Sequence, residues 1–367
     1  MPKQFDAVVA GYLGADLAPL FPRGGEALPL AQLLRPGKLV EVGPLEISTG
    51  GVVANTGLAM AHFGCQTALM GLLGTDALGD LLLSLLTDRG PALHLRRTDV
   101  AGTAYGIVIA PPGTDRVFLE CPGCNATFGA DDLDYAVIAQ SRLFHFGYPP
   151  LMPRLFADGG AELEAIFTRV RELGVATSLD MTLPDPQGPA GAVEWSALLA
   201  RVLPHVDIFV PSIEELAYML AHEEWARLTA AVGEGDVSEL VPEGLVRDLA
   251  DTVLQMGVRV LLLKSGAHGG YLRTRDTGGL LGLGDAWQNR ALWLQPCPVE
   301  TSRFVNACGA GDAAVAGFLT AMLRGASPER AGQLAMIAGR DSLYGADTTS
   351  GLADWTAMQD EATTLSS

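Results

Sequence analysis

The 367-residue sequence predicts an α/β fold: a doubly wound, mostly parallel sheet with helices on both faces, and a small antiparallel β sheet beside it. Two observations predict this fold. From about residue 142 onward, short apolar segments alternate with helical patterns, as in a series of βαβ units. Residues 102–123 instead show two alternating segments around a Pro-Pro-Gly turn, which is typical of a β hairpin.

The apolar segments are nearly continuous in hydrophobicity, as parallel strands buried on both faces should be. Ligands of such open sheets bind at the carboxyl ends of the strands. The predicted strands are RLFHFGY (142–148), VATSLDM (175–181), VDIFVPS (206–212) and VRVLLLKSG (258–266), and the predicted helices span 161–173, 193–203, 213–221 and 244–257.

A chain of this length fits one large α/β core with appendages. Two segments, about 12–50 and 100–123, are expected to form the antiparallel sheet, which is a candidate lid over the core. The expected parts are residues 1–130 for the first part of the core with the lid segments, 131–350 for the main nucleotide- and substrate-binding core, 221–244 for an acidic surface insertion, and 351–367 for the C-terminal tail.

Composition narrows the class of protein. With 49% hydrophobic and 18% charged residues, the chain has the profile of a folded protein, and its formal net charge of −18 argues against a nucleic-acid partner. We expect no membrane association and a cytoplasmic location, because no signal peptide and no apolar run of membrane-spanning length is evident. The CPGC segment at 121–124 has the spacing of half a metal or redox site, but without a second pair it predicts a turn.

The segment VNACGAGDAAVAGF (305–318) carries the strongest chemical signal. Gly309, Ala310 and Gly311 directly precede an acid, Asp312, and an apolar helix that should end at Arg324 and Gly325. Residues 301–306 are predicted to be the strand before this turn. The apolar stripe that predicts the helix consists of Val315, Phe318, Leu319, Met322 and Leu323.

A glycine turn at a helix start exposes backbone N–H groups that favour a bound anion. A carboxylate in the same turn would repel phosphate, but it suits a general base that takes a proton from an attacking hydroxyl. Two alternatives stay open. Asp312 could be an acid placed early in a helix because of the helix dipole, and GAGDAA is close to a dinucleotide-binding turn, although no acid follows about 20 residues on.

GAGD at 309–312 resembles the C-terminal signature of the ribokinase-like (PfkB) carbohydrate kinase family. An independent stretch, 50–80, resembles the family's N-terminal signature, with Gly50, Gly51, Asn55 and GLLGTDALGD. Shorter matches follow the family's order over roughly residues 6–345. These are VVAGYLGAD with Asp16, PGCNATF with Asn125, FVPSIEEL with Glu215, and LLLKSGAHGG with Gly266 and Gly269.

The resemblance implies an ATP-dependent kinase with Mg²⁺ that phosphorylates a sugar hydroxyl. Asp312 would be the general base, and Glu215 would organise Mg²⁺ and its waters. The remaining implied site residues are Gly309, Ala310 and Gly311 in the anion hole, Asp16, Gly50, Gly51, Asn55 and Asn125 at the sugar, and Lys264, Gly266 and Gly269 at the nucleotide.

Three segments depart from the family's pattern. Asn306-Ala307 replace a common Asp-Thr, which leaves open whether a monovalent cation such as K⁺ is bound. Ser212 replaces an Asn, and Lys264 replaces a frequent Thr. Asp180, after a predicted strand, is set aside as a turn former.

We therefore predict a sugar kinase that forms a homodimer through its β lid, since the edges of an exposed sheet need cover. Two alternatives remain at this point. One is a nucleoside kinase of the same fold, and the other is a sugar- or nucleotide-binding paralogue that has lost catalysis.

Overall fold

The structure is a computed structural model that describes residues 3–21, 33–111, 117–233 and 237–366. Within these residues the strands form a nine-stranded, a four-stranded and a two-stranded sheet. The strands are β1 (Phe5–Gly11), β2 (Gly14–Pro19), β3 (Leu45–Gly50), β4 (Thr67–Met70), β5 (Leu72–Gly74), β6 (Ala92–Leu93), β7 (Arg96–Thr98), β8 (Ala104–Ile109), β9 (Val117–Cys121), β10 (Ser141–Gly147), β11 (Ala176–Asp180), β12 (Ile208–Phe209), β13 (Val260–Lys264), β14 (Gly270–Thr274) and β15 (Ala291–Leu294).

The helices of the described residues follow the predicted alternation with the strands. They are α1 (Val52–His62), α2 (Ala77–Leu86), α3 (Tyr135–Ile138), α4 (Pro153–Phe156), α5 (Ala161–Glu172), α6 (Trp195–Val202), α7 (Ile213–Leu220), α8 (His222–Val232), α9 (Glu243–Gln255), α10 (Ala310–Leu323), α11 (Pro328–Ser342) and α12 (Trp355–Ser366).

The large sheet has the strand order β15-β14-β13-β12-β11-β10-β1-β4-β6. Its neighbours from β13 to β6 are parallel, and β14 and β15 add an antiparallel edge. Gly11, Gly147 and Asp180 lie side by side in the register of β1, β10 and β11. Three strands therefore end together, and the space beside their ends, between Asp180, Asp312 and Asp16, is called the cleft below.

Each face of this sheet is covered by its own hydrophobic cluster, because successive strand residues point to opposite faces. Val8 of β1 joins the cluster that contains α5, α6, α7 and α9, whereas Val9 joins the cluster that contains α1, α10 and α11. The predicted doubly wound α/β class is confirmed.

Helix α10 begins where the glycine turn predicts it. Gly309 precedes it with φ 76°, Arg324 caps its end, and Gly325 follows with φ 74°. The predicted strand at 301–306 is wrong: Thr301–Arg303 is a 3₁₀ turn, and the extended residues after it find no partner strand among the described residues. The amide of Val305 donates instead to the carbonyl of Leu343 at the end of α11, at 2.8 Å.

The four-stranded sheet, with the order β3-β2-β8-β9, corresponds to the predicted lid. Pairs β2–β3 and β8–β9 are antiparallel, as predicted, and the parallel pair β2–β8 joins them. Strand β3 begins only at Leu45, near the end of the predicted lid segment 12–50. The predicted Pro-Pro-Gly turn falls largely in 112–116, and part of the first lid segment falls in 22–32, outside the described residues.

The other predicted segments have the following structures. Residues 221–244 contain helix α8 and a 3₁₀ turn, Val237–Leu240, with residues 234–236 outside the described ranges. The C-terminal tail contains α12. Cys121 and Cys124 of the CPGC segment are free thiols that form no disulfide bond. Of the helices in the described part of the chain, none is long and apolar enough to cross a membrane.

Candidate active site

Asp312 lies in the first turn of α10, and three side chains donate hydrogen bonds to its carboxylate. Asn55 Nδ2 lies 3.0 Å from Oδ2, and Thr56 Oγ1 lies 3.1 Å from Oδ1. The phenol of Tyr148 lies 2.7 Å from Oδ1 and 2.8 Å from Oδ2. The side chain of Asp312 is only 3% exposed. A buried carboxylate with this many donors is held in one orientation at the edge of the sheet.

Tyr148 reaches Asp312 from the segment that follows β10. Its backbone is left-handed, with φ 69° and ψ 42°, a conformation that costs a residue other than glycine about 1–3 kcal/mol. Pro149 and Pro150 follow at once and start a short 3₁₀ turn. Burial and the charge of Asp312 raise the pKa of the Tyr148 phenol well above its ordinary value. The phenol therefore keeps its proton and donates a hydrogen bond to the carboxylate.

The glycine turn beside Asp312 is closely packed at Gly309 and open at Gly311. At Gly309, a Cβ atom would lie 1.9 Å from Thr348 Oγ1, so only glycine fits there. Gly311 is exposed, and a Cβ atom on it would lie 3.7 Å from Lys264 Nζ. The first amides of a helix lack intrahelical acceptors. The start of α10 thus places helix-start amides beside an ammonium group, which favours a bound anion, although the amide of Ala310 already contacts the carbonyl of Ala307 at 3.4 Å.

Lys264 forms a buried ion pair with Asp180. Its Nζ lies 2.9 and 3.0 Å from the two carboxylate oxygens of Asp180, which ends β11. Burial alone would lower the pKa of Lys264, but the charges of Asp180, Glu215 and Asp312 outweigh it and raise that pKa. The ammonium therefore stays charged beside the glycine turn. Asp180, set aside in the sequence analysis, is its direct partner.

Asn306 lies just before the glycine turn, and its side chain links this part of the chain to the segment that follows α11. Its Nδ2 donates to the carbonyl of Gly345 at 3.1 Å and to that of Ala346 at 3.0 Å. Its Oδ1 accepts the backbone N–H of Cys308 at 2.7 Å. The amide thus occupies the point where two carbonyl oxygens converge. An NH2 donor therefore meets these two carbonyls in this structure.

On the lid side, Asp16 of β2 faces the cleft. Gly50 of β3 pairs with Gly14 of β2, two residues before Asp16. It lies so close to Asp16 that a Cβ atom on Gly50 would be 2.5 Å from Asp16 Oδ1. Gly51 has φ 83° and lies against the carbonyl of Tyr12, where a Cβ atom would be 2.5 Å away. Burial and the charge of Asp312 raise the pKa of Asp16 to about 6. Asp16 and Asp312 are therefore close enough for their charges to interact.

Two further polar residues lie at this end of the cleft. The phenol of Tyr12 donates to the carboxylate of Glu120, a residue of β9. A Cβ atom at Gly106 of β8 would lie 2.7 Å from Glu120 Oε2 and 3.6 Å from Asp16 Oδ1. Gly106 thus makes space for two carboxylates on one face of the lid. A sugar in this space would meet hydrogen-bond acceptors.

Three predicted site residues make structural contacts in this structure. Asn125 is fully buried, and its Nδ2 donates to the carbonyl of Leu13 at 2.9 Å, so it has no exposed surface for a sugar. Gly269 is buried against β15, where a Cβ atom would lie 2.0 Å from the carbonyl of Leu294, whereas Gly266 is exposed. Glu215 caps α7: its Oε2 accepts the amide of Ser212 at 2.7 Å.

No group of three His, Cys, Asp or Glu side chains within the described ranges could hold a metal ion alone. Asp180 and Glu215 lie close enough for their charges to act on each other, and the charge of Asp312 acts on Asp180 as well. Mg²⁺ usually binds through one or two carboxylates together with waters and substrate phosphates. The acids present fit that mode and not an all-protein cage.

Sequence reasoning missed Tyr148, Thr56 and Glu120. Thr56 is adjacent to the predicted Asn55, and a tyrosine between the end of a strand and two prolines is an unusual pattern. Neither signal indicates that the side chain contacts Asp312, because Asp312 lies 164 residues along the chain from Tyr148 and 256 residues from Thr56.

Comparison with protein families and known proteins gives a consistent result. A family model described as pfkB family carbohydrate kinase matches residues 27–343. The chain is 23% identical over 279 residues to an uncharacterized sugar kinase of Archaeoglobus fulgidus, covering 76% of this chain and 91% of that protein. It is 26% identical over 274 residues to probable fructokinase-6, chloroplastic, of Arabidopsis thaliana, covering 74% of this chain and 61% of that protein.

Solved structures with the same fold include the Arabidopsis thaliana ribokinase complexed with ribose and ATP. It has a TM-score of 0.72 and 18% identity, and the alignment covers 99% of both chains. A putative ribokinase II from E. coli, in complex with ATP and Mg²⁺, has a TM-score of 0.67 and 16% identity, with 100% of both chains covered. At these identities the likeness shows that the fold is shared.

Proposed function

Because the chain belongs to the PfkB family of carbohydrate kinases, we propose that it transfers the γ-phosphoryl group of ATP to a hydroxyl of a sugar, with Asp312 as the general base. The observation that carries this proposal is the position of the Asp312 carboxylate, in the first turn of α10 and directly beside the Gly309–Gly311 turn. Base and anion hole are then adjacent, as transfer to an alcohol requires.

In the proposed reaction the sugar oxygen attacks the γ-phosphorus, and the bond from that phosphorus to the β–γ bridging oxygen breaks. The alcohol proton passes to Asp312, and ADP leaves. The amides of Gly309, Ala310 and Gly311 and the ammonium of Lys264 would stabilise the charge on the transferring group. Asp16, Gly50 and Gly51 would position the sugar. Asn55 would act through Asp312, since it donates to that carboxylate.

The nucleotide is proposed to bind as its Mg²⁺ complex next to Gly266 and Lys264. Bound Mg²⁺ would neutralise the phosphates and draw charge toward the leaving group. Glu215 would hold its waters through the carboxylate oxygen that does not cap α7, and Asp180 would hold Lys264 in place. Gly269 would allow the tight backbone turn that places Gly266 beside the nucleotide.

An ADP-release assay with Mg-ATP tests this function directly. Ribose, fructose, keto-deoxy acids and nucleosides would be added singly, and we expect sugar-dependent ADP release with at least one sugar. Release with nucleosides alone would instead indicate a nucleoside kinase. A sugar that raises the melting temperature without ADP release would indicate a binding protein that has lost catalysis.

Activity is expected to be independent of K⁺, because the Asn306 amide already bridges the carbonyls of Gly345 and Ala346. Asn306→Asp places a carboxylate against those oxygens, so this variant should need a cation to regain activity and thermal stability. ADP release and the melting temperature would be measured with KCl or tetramethylammonium chloride at equal ionic strength. Strong K⁺ activation of the wild type would contradict this prediction.

We also propose that two copies pair through the lid. Its edge strands β3 and β9 carry the half-exposed apolar residues Leu45, Ile47 and Leu119, and an open sheet edge favours association with another chain.

A further inference from the structure

The contacts around Asp312 leave no free approach for a sugar hydroxyl. Its oxygens already accept hydrogen bonds from Asn55, Thr56 and Tyr148, and its side chain is 3% exposed. A general base must lie within about 2.6–3.2 Å of the oxygen that it deprotonates. One of the three donors must therefore leave before an alcohol can bind.

Tyr148 is the donor that can leave. Asn55 and Thr56 are fixed within α1, which packs against α10, and Thr56 is fully buried. Tyr148 instead follows the last residue of β10, in a left-handed conformation that a tyrosine rarely adopts. A strained residue at an element boundary is a suitable point for a local rearrangement.

The position of the phenol also matches that of a reacting alcohol. Its oxygen is an O–H donor that bridges both carboxylate oxygens, at 2.7 and 2.8 Å. A sugar hydroxyl ready to give its proton to Asp312 would need the same contacts, so the two cannot be bound together. Because its pKa is raised by burial, the phenol itself does not lose its proton to the base.

We propose that Tyr148 holds the place of the acceptor hydroxyl at Asp312 until a sugar displaces it. This inference rests on the proposed kinase function. Without sugar, the phenol keeps water away from the base, so that water does not attack the γ-phosphorus to give ADP and inorganic phosphate. With sugar, the substrate hydroxyl replaces the phenol hydrogen bond, and the ring moves away from the carboxylate.

The test is Tyr148→Phe, which removes the competing hydroxyl and keeps the ring. A hydrogen bond to a charged group biases an equilibrium roughly tenfold to a hundredfold. While the phenol is bound to Asp312, a sugar cannot bind, so the apparent dissociation constant is raised in proportion to how rarely the phenol is displaced. Removing the hydroxyl ends this competition, and we expect the sugar dissociation constant to fall about tenfold. Sugar-independent ADP release should rise by a similar factor, and kcat with saturating sugar should stay close to that of the wild type.

Sugar affinity would be measured by titration calorimetry without nucleotide, and basal ADP release without sugar. Tyr135→Phe is the matched control, because this buried tyrosine of α3 packs against the Arg169 guanidinium, 3.7 Å from the ring centroid, and donates no hydrogen bond to Asp312. A lower kcat with unchanged sugar affinity and basal release would overturn the proposal, since Tyr148 would then only orient the base. If the wild type binds no sugar at all, the proposed function itself fails.

Discussion

Asp312→Asn is expected to lower kcat for sugar phosphorylation by about 10²- to 10⁴-fold, the usual contribution of a general base. Asn has nearly the same shape, and its side-chain oxygen can still accept the hydrogen bond from Tyr148. Its NH2 group cannot accept, so either Asn55 or Thr56 loses its acceptor, which should lower the free energy of unfolding by about 1–3 kcal/mol and the melting temperature with it. The binding of Mg-ATP should persist. Sugar-dependent ADP release, together with nucleotide titration of the same preparation, measures both effects.

The control addresses the alternative that Asp312 only complements a helix dipole. Glu329 is an acid in the first turn of α11, away from the cleft, and Glu329→Gln removes a comparable charge from a helix start. This variant should keep the wild-type kcat. If Asp312→Asn also kept it, Asp312 would be a helix-start acid and not the base.

The glycine turn could be predicted from the sequence because its signal is local. Gly309 to Asp312 and the apolar stripe lie within one segment, and α10 has the predicted limits. The strand predicted at 301–306 had a suitable composition, but a strand also needs a neighbour with free backbone groups. The amide of Val305 finds the end of α11 instead, and no local pattern encodes that partner.

The candidate site was only partly predictable for the same reason. Residues placed there by motif, such as Asp16, Asn55 and Asp312, do converge, since Asn55 donates to Asp312 and the charge of Asp312 acts on Asp16. Tyr148 comes from a segment with no recognisable motif. Asp180 had an ordinary local explanation, and only its ion pair with Lys264 distinguishes it from other acids at strand ends.

Breaking that ion pair should have the largest effect on stability. Asp180→Asn leaves the Lys264 ammonium buried, and removing one partner of a buried pair costs about 3–5 kcal/mol in the free energy of unfolding. The side chains of Lys264 and Asp180 are 13% and 1% exposed, so water replaces little of the lost interaction. Glu215 and Asp312 also act on the ammonium, so we expect a loss near 3 kcal/mol, measured by urea denaturation.

The double variant Asp180→Asn with Lys264→Met separates stability from catalysis. It removes both charges, and replacing a whole buried pair is often neutral for stability, so the free energy of unfolding should return to within about 1 kcal/mol of the wild type. Its kcat should remain about 10²- to 10³-fold lower, because the phosphoryl group has lost a charged donor. Glu243→Gln, which breaks the exposed pair with Arg247, is the control and should change stability by less than about 1 kcal/mol. Recovery of full activity in the double variant would show that Lys264 serves only to neutralise Asp180.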